Sequence, residues 1–332
     1  MHQRPGEFEI IARYFAPLAR GFPGAYGLRD DAAVIAPAPG HELVAKTDAI
    51  VGGVHFFDDD PPDLVARKAL RVNLSDLAAK GARPRAYLLD LMIPQRVDEA
   101  WIAAFAAGLA HDQAEYGVHL IGGDTDSTPG PVAIAVTALG EVPAGRIIRR
   151  GGARAGDELY VTGTVGDGAL GLLAAKGQLS NIDDLAARFL VDRYRLPQPR
   201  VAVGPRLIGA ATAALDVSDG LVADLRHLCE TSGLDAVVDE ADVPLSEAAR
   251  AALHVKPSVM DAILTGGDDY EIAFAAPSGA AGRVAAIAHE TGVPITRIGR
   301  LLPPNGGQGG DVRVTGSDGK SRQFVSRGWA HF

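Results

Sequence analysis

The sequence has little of the residue types that mark several protein classes. Its single cysteine, Cys229, excludes a disulfide within the chain. The first ten residues carry two glutamates where a secretory signal peptide needs an apolar core. Apolar runs such as 132–139 fall far short of the roughly 20 residues that span a bilayer. We therefore expect a cytoplasmic protein with no membrane span.

Positive charge is also in short supply. The chain has 32 Lys and Arg residues against 41 Asp and Glu residues, a formal net charge of −9. This sign opposes the basic face that nucleic-acid-binding proteins present to phosphates, so we expect no nucleic-acid partner. The 332 residues, 47% of them hydrophobic, suffice for one large domain or two ordinary ones.

Several catalytic signatures are absent or incomplete. The sequence has no H-E-x-x-H, G-x-S-x-G or paired C-x-x-C motif, which removes the usual support for a zincin, a serine hydrolase or a cysteine zinc site. Residues 166–171 match G-x-G-x-x-G, but Asp167 would place a negative charge against a pyrophosphate. We interpret this segment as a tight turn from a strand into a helix. Gly319-Lys320-Ser321 resembles the end of a P-loop but lacks the leading glycine.

Helical and strand patterns alternate along the chain, which predicts an α/β fold. Glycines and arginines crowd residues 140–157 and predict a boundary between two α/β domains, 1–145 and 146–332. In the first domain the patterns predict helices over 7–19, 61–80 and 98–115 and strands over 32–36, 42–47, 86–93, 118–121 and 132–141. In the second they predict a strand over 158–162, a helix over 200–213 and a strand over 214–217, followed by further alternation.

A series of aspartates follows apolar runs in contexts rich in small residues. Taken singly, each is better explained as an N-cap or turn residue. As a set they predict a site for a hard cation, because Mg²⁺ prefers carboxylate oxygens and substrate phosphates as ligands. The aspartates are Asp30 with Asp31, Asp48, Asp76, Asp124 with Asp126, Asp216 with Asp219, and Asp268 with Asp269.

These motifs together resemble a known family. They are RDDAA (29–33), TD (47–48), GVHF (53–56), ALRVNLSDLAAKG (69–81), IGGDT (121–125), DVSDGL (216–221), GGDDYE (266–271) and the terminal GWAHF (328–332). Their combination and spacing are similar to those of thiamine-monophosphate kinases, within the superfamily that includes aminoimidazole ribonucleotide synthetase and selenophosphate synthetase. The resemblance implies a homodimer. It also implies an N-terminal domain that binds ATP and Mg²⁺ and closes a barrel with its partner's strands, and a C-terminal α/β domain that covers the site.

The resemblance further implies roles for individual residues. The metal ligands would be Asp31, Thr47, Asp48, Asp76, Asp124, Asp216 and Asp219. Contacts with ATP would come from Gly123, Asp124, Arg150 and Ser218, and contacts with thiamine monophosphate from His55, Asp268 and Trp329. Asp48, Asp124 and Arg150 would act in catalysis. Tyr270 and Trp329 are candidates to stack on the cationic thiamine ring.

The implied reaction transfers the γ-phosphoryl group of ATP to the phosphate of thiamine monophosphate with the help of several Mg²⁺ ions. The acceptor phosphate is already ionised near neutral pH, so no general base is required. Two alternatives remain open. The chain is another ATP-dependent member of the superfamily acting on a different small substrate, or it is a catalytically lapsed nucleotide-binding dimer.

Three positions depart from the family pattern. Arg29 replaces a glycine, Lys46 replaces a small hydroxyl residue, and Asp268 replaces a glutamate and is shorter by one methylene. Lys46 and Asp48 point to the same face of an extended segment. Either the ammonium lies near the metal-binding carboxylates and replaces part of the charge of one Mg²⁺, or its stem carries the charge out to water.

Overall fold

The computed structural model describes residues 5–316 and 318–324. The chain divides into two compact units, one from Met1–Leu77 and Ala82–Gly145, the other from Ala78–Gly81 and Arg146–Phe332. Each contains one β-sheet with helices, which confirms the predicted α/β class. Across the described ranges, none of the helices has the length and apolar character that a membrane crossing requires.

The first unit is built on a four-stranded sheet in the order β1-β4-β2-β3. Its strands are β1 (His41–Val51), β2 (Arg83–Ile93), β3 (His119–Ser127) and β4 (Ala133–Pro143), and its helices are α1 (Glu7–Ile10), α2 (Pro62–Ala79) and α3 (Glu99–Tyr116). β1 and β2 each pair antiparallel with β4, whereas β2 and β3 are parallel and are connected through α3. The last two residues of α2 belong to the second unit.

The N-terminal segment departs from the predictions in two places. The expected helix over 7–19 is α1 followed by a π-helical turn (Ile11–Phe15) and a 3-10 turn (Ala16–Ala19). Pro17 lies in the last turn and has no N–H to continue an α-helical ladder. The predicted strand over 32–36 is wrong: the segment is extended but joins no sheet, and Val34 donates its N–H to the carbonyl of Gly24 (2.9 Å).

The core of the first unit includes apolar side chains of α2 and α3 at helical spacing. These side chains, from Leu70, Leu74, Leu77, Ile102, Phe105 and Leu109, are fully buried. Asp98 caps α3 by accepting the N–H of Trp101 (2.9 Å). α3 passes so close to the start of α2 that a Cβ on Gly108 would lie 2.3 Å from the carbonyl oxygen of Asp63.

The second unit is built on a six-stranded sheet in the order β10-β7-β9-β5-β8-β6. Its strands are β5 (Glu158–Thr162), β6 (Ala213–Asp216), β7 (Asp235–Asp239), β8 (Ile272–Ala276), β9 (Ile295–Leu302) and β10 (Val312–Thr315). Its helices are α4 (Asp167–Ala175), α5 (Asp184–Arg195), α6 (Leu221–Ser232), α7 (Glu247–Val255), α8 (Val259–Thr265) and α9 (Ala281–Thr291). β10 and β7 are parallel, and the other neighbours are antiparallel.

Apolar cores cover both faces of this sheet. Successive residues of β8 alternate between them: Phe274 belongs to one core, and Ala273 and Ala275 belong to the other. The predicted helix over 200–213 is wrong. The segment forms turns and the 3-10 helix Gly204–Leu207, because it contains Pro205 and because a Cβ on Gly204 would lie 2.1 Å from the carbonyl oxygen of Ala78.

Candidate active site

Asp48 and Asp76 meet at one ammonium group in the first unit. Lys46 Nζ lies 3.2 Å from Asp48 Oδ1 and 3.0 Å from Asp76 Oδ2, so Lys46 contacts the two carboxylates and does not extend into water. Burial lowers the pKa of Lys46, but the charges of Asp76 and Asp48 outweigh it and raise that pKa above its ordinary value. The helical carboxylate of Asp76 therefore has the partner that its apolar surroundings require.

Asn73 fixes the strand that carries Asp48. Its Oδ1 accepts the backbone N–H of Asp48 (2.8 Å), and its Nδ2 donates to the carbonyl of Ala69 one turn earlier in α2. Asn73 and Asp76 are three residues apart and share one face of the helix. The spacing of the NLSD motif thus places an anchor and a carboxylate side by side against β1.

Thr47 lies on the other face of β1 from Lys46 and Asp48, as strand alternation requires. Its exposed side chain accepts a hydrogen bond from Thr137 Oγ1 (3.0 Å) on β4. The structure therefore does not bring the Thr47 hydroxyl together with the Asp48 carboxylate, and a metal role for Thr47 stays a prediction.

A hydrogen bond to the His55 ring determines which of its nitrogens carries the proton. Its Nδ1 accepts the backbone N–H of Val51 (3.0 Å), which places the proton of the neutral imidazole on Nε2. The carbonyl of His55 also accepts a hydrogen bond from Lys68 Nζ (2.9 Å). Both contacts fix the turn after β1, and neither makes His55 a base at Nδ1.

Asp124 lies within β3, which extends beyond the strand predicted over 118–121. β3 continues through the glycines to Ser127, and its register with β2 shifts between Tyr87 and Leu88. Gly123 has φ 139°, and a Cβ there would lie 1.9 Å from the carbonyl oxygen of Leu89. This close backbone approach requires glycine. It leaves the carboxylate of Asp124 exposed, with Oδ1 accepting the N–H of Thr125 (2.8 Å).

A cavity of about 610 Å³ in the first unit brings Asp31 and Asp124 to one place. Arg29, Asp30 and Asp31 line one part of it, and residues 122–125 line another. Its remaining lining is largely apolar and comes from Phe8, Ile11, Phe15, Leu28, Leu89 and Leu120. Asp48 and Asp76 do not line this cavity, so the predicted ligands of the first unit form two groups.

The predicted ligands of the second unit lie in one short segment that begins with the last residue of β6. Asp216 is buried at the end of the strand, and Ser218 and Asp219 are half-buried in the loop that follows. The backbone N–H groups of Ser218 and Asp219 both donate to Asp224 Oδ2 (3.0 Å each). Burial raises the pKa of Asp224 to about 7, although the two N–H groups act in the opposite direction.

The G-x-G-x-x-G segment makes contacts with the protein itself. The N–H groups of Gly166 and Gly168 donate to the carboxylate of Asp269 (2.7 and 3.0 Å), which occupies the position that a pyrophosphate would need. A Cβ on Gly171 would lie 2.0 Å from the carbonyl oxygen of Leu190, so this glycine serves helix packing. Asp167 is buried between hydroxyl groups of its own unit. The interpretation as a structural turn fits these contacts, and the dinucleotide alternative does not.

The remaining predicted site residues differ in how exposed they are. Arg150 is exposed, and its charge lowers the pKa of Asp224 slightly against the larger effect of burial. Asp268 is half-buried in the loop before β8 and has φ 71°. Trp329 lies outside the described residues.

The residues that hold these loops were not among the predicted site residues. Asn73 lies inside a quoted motif, three positions before Asp76, and that spacing was an available signal. Glu271 and its partners Arg193 and Arg200 are far apart in the sequence, so no local pattern predicted their contacts. Asp224 was missed as well, although its partners Ser218 and Asp219 lie only six and five residues before it.

Comparisons with known proteins identify the family of the chain. Residues 29–142 match the AIR synthase related protein N-terminal domain, and residues 154–311 match the corresponding C-terminal domain. The chain is 43% identical over 330 residues to thiamine-monophosphate kinase of Caulobacter vibrioides, covering 98% of this chain and 91% of that protein.

Solved structures show the same likeness. Thiamine-monophosphate kinase from Stenotrophomonas maltophilia superposes with a TM-score of 0.79 at 40% identity, covering 89% of this chain and 91% of that one. The structure of AaThiL complexed with AMPPCP and TMP superposes with a TM-score of 0.77 at 28% identity, covering 93% and 97%. The chain therefore belongs to the AIR synthase related proteins and, among them, to the thiamine-monophosphate kinases.

Proposed function

We propose that this protein transfers the γ-phosphoryl group of ATP to the phosphate of thiamine monophosphate, giving thiamine diphosphate and ADP. The similarity to thiamine-monophosphate kinases over 98% of the chain carries this proposal. The exposed carboxylate of Asp124 beside Gly123, in a cavity of about 610 Å³, supports it. AaThiL, with 28% identity, was crystallised with AMPPCP and TMP, which are an ATP analogue and the proposed acceptor.

The donor set suits Mg²⁺, because it consists mainly of carboxylate oxygens, all but that of Asp216 in accessible or half-buried places. Asp31 and Asp124 would hold metal in the cavity, and Asp48 and Asp76 would do so beside Lys46. Asp216 and Asp219 would contribute from the second unit, and Thr47 remains a further candidate. When bound, Mg²⁺ would neutralise the charge of the two anionic substrates.

The protein's own residues would position those substrates. Gly123 lets the backbone approach a phosphate because it has no side chain. Arg150 offers an exposed guanidinium for the nucleotide phosphates, and Ser218 offers a hydroxyl. His55 would donate from Nε2 to the acceptor substrate, since Nδ1 is already used. No residue needs to act as a base, because the acceptor phosphate is ionised near neutral pH.

Asp268 and Trp329 complete the proposed binding of thiamine monophosphate. We also propose a cytoplasmic homodimer in which the first unit closes a barrel with a second copy and the second unit covers the site. The first unit exposes three apolar side chains that a second copy would cover: Phe8 is 83% exposed, Val34 61% and Leu43 38%.

The lapsed-dimer alternative has one observation in its favour. The Lys46 ammonium stands between Asp48 and Asp76, where an active enzyme would hold a metal ion. Formation of ADP from ATP and Mg²⁺, with and without thiamine monophosphate, decides between the alternatives. We expect ADP and thiamine diphosphate in equal amounts only when the acceptor is present. ADP formation that ignores thiamine monophosphate would favour another substrate, and no ADP under any condition would favour the lapsed dimer.

A further inference from the structure

The loop 266–271 alternates between buried anchors and left-handed residues. Asp269 and Glu271 are 1% and 0% exposed, whereas Asp268 and Tyr270 are half-buried. Asp268 has φ 71° and Tyr270 has φ 52°, in a region that non-glycine residues rarely adopt. Such a backbone persists only where surrounding contacts impose it, and it is concentrated at ligand sites.

The carboxylate of Glu271 is held on both oxygens. Arg193 Nη2 donates to Oε1 (3.0 Å), and Arg200 donates from Nε to Oε2 (2.6 Å) and from Nη2 to Oε1. Thr162 Oγ1, at the end of β5, donates to Oε2 (2.7 Å) and accepts the N–H of Ile272 (2.8 Å). Gly163 gives the carboxylate room, since a Cβ there would lie 2.1 Å from Oε1. Glu271 thus joins the loop to β5 and to two arginines.

The other side of the loop is fixed through its backbone and through Asp269. The N–H of Asp268 donates to the carbonyl of Ser218 (3.0 Å), and the N–H of Tyr270 donates to that of Val217 (2.8 Å). Asp269 accepts the N–H groups of Gly166 and Gly168 at the start of α4, and a Cβ on Gly168 would lie 2.3 Å from the carbonyl oxygen of Asp268. Asp268 is therefore packed between the segment after β6 and the first turn of α4.

We propose that Glu271, held by Arg193 and Arg200, is the positioning residue that fixes Asp268 for thiamine monophosphate. This inference rests on the proposed function, which gives Asp268 its role in substrate binding. Glu271 is buried and acts through the backbone: it maintains the strained conformation in which Asp268 is presented. Loosening Glu271 lets the loop relax toward ordinary dihedral angles and moves the Asp268 carboxylate away from the substrate.

The test measures steady-state kinetics of the full chain with ATP, Mg²⁺ and thiamine monophosphate. Glu271→Gln keeps the side-chain shape but removes the charge that holds the arginines. We expect its KM for thiamine monophosphate to rise about tenfold or more, because small displacements of a positioning group are costly. The KM for ATP should change much less. Thr162→Val should shift the same KM in the same direction, and Thr162→Ser, which keeps the hydroxyl, should restore it.

Asp112→Asn in the first unit provides the matched control. Asp112 is fully buried and is bound by Arg67 Nε (2.8 Å) and Arg71 Nε (2.6 Å), so this substitution also breaks a buried carboxylate–arginine contact. It should lower the thermal unfolding temperature without changing the KM for thiamine monophosphate relative to that for ATP.

The outcomes separate this proposal from the proposed function. Normal turnover by the unsubstituted enzyme, with an unchanged KM for thiamine monophosphate in folded Glu271→Gln, would overturn the positioning role alone. So would an equal rise of both KM values, or the same selective rise in Asp112→Asn. If Glu271→Gln does not fold, the Thr162→Val and Thr162→Ser pair decides by the same criteria. Absence of turnover by the unsubstituted enzyme would overturn the proposed function and this inference with it.

Discussion

Carboxylates from similar motifs serve different purposes in the two units. In the first unit the motif aspartates are exposed or half-buried, and a cation can approach them. In the second unit several are buried and saturated by backbone N–H groups, hydroxyls or arginines, so they hold loops in place. The accessible set includes Asp31, Asp48 and Asp124, and the buried set includes Asp167, Asp224, Asp269 and Glu271. An aspartate beside glycines therefore indicates either a ligand or an anchor, and the contacts that its carboxylate makes within the protein distinguish the two.

The proposed mechanism gives the accessible carboxylates to metal ions and uses no general base, and this yields the largest expected effect. Unphosphorylated thiamine presents an alcohol, which would need a base to remove its proton, whereas the phosphate acceptor does not. A missing base costs about 10²- to 10⁴-fold in rate. We expect labelled ATP to transfer phosphate to thiamine monophosphate and not measurably to thiamine. A comparable rate with thiamine would mean that one of the carboxylates acts as a base.

Removing single charges from the accessible set should stop turnover and preserve the fold. Asp48→Asn and Asp124→Asn each remove a hard-cation ligand, and we expect losses in kcat of at least about 10²-fold. Thermal unfolding should change little, because Asp124 is exposed and the side chain of Asp48 is 44% exposed. Near-normal activity of both variants at saturating Mg²⁺ would show that these residues are not metal ligands.

Replacing a buried carboxylate of the second unit should instead change how the stability of the protein depends on pH. The pKa of Asp224 is about 7 in the folded protein because of burial, well above its ordinary value near 3.8. The folded state therefore retains a proton that the unfolded state loses, and stability falls as pH rises from about 4 to about 7. Asp224→Asn cannot ionise and should lack this decline.

Urea unfolding without Mg²⁺ at pH 5 and pH 8 measures the effect of this substitution. The free energy of unfolding of Asp224→Asn minus that of the unsubstituted chain should be larger at pH 8 than at pH 5, so the variant is relatively more stable at pH 8. Equal differences at the two pH values, at fixed ionic strength, would show that Asp224 does not titrate between them.

Replacing Lys46 should have the smallest effect. Its ammonium is a partly exposed positive charge beside Asp48 and Asp76. Without its ammonium, Asp48 and Asp76 depend on metal alone, so Lys46→Ser should raise the Mg²⁺ concentration for half-maximal activity and steepen the dependence. A partly exposed ion pair is worth up to about 1 kcal/mol, which corresponds to a shift of about two- to fivefold. Selectivity for thiamine monophosphate should stay the same. An unchanged Mg²⁺ titration would show that the Lys46 ammonium does not contribute to metal binding.

Local patterns were sufficient to predict much of the fold. The strand over 158–162 agrees with β5 because it is a short, continuously buried apolar run with clear turns around it. The helix over 61–80 agrees with α2, and alternation along β1 correctly placed Lys46 on the face of Asp48. Predictions were wrong where long-range packing decides. The strand predicted over 118–121 is too short: it continues to Ser127, because β2 pairs with the glycines at 122 and 123.

The site was predictable only as far as its motifs extend. Asp48 and Asp76 are 28 positions apart, yet both lie in motifs that pointed to one site. Glu271 also lies in a quoted motif, but its partners Arg193 and Arg200 are 78 and 71 residues away in ordinary surroundings. Such contacts depend on the packing of distant elements, so the anchoring role of the buried carboxylates became visible only in the structure.

One paired measurement tests the distinction between ligand and anchor most directly. It records kcat with thiamine monophosphate and the free energy of unfolding for Asp124→Asn and Asp269→Asn. Asp124→Asn should lose about 10²-fold or more in kcat and keep its stability. Asp269→Asn should lose about 1–3 kcal/mol of stability, because the amide satisfies the N–H groups of Gly166 and Gly168 poorly. An unstable but active Asp124→Asn, or a fully stable Asp269→Asn, would contradict the account.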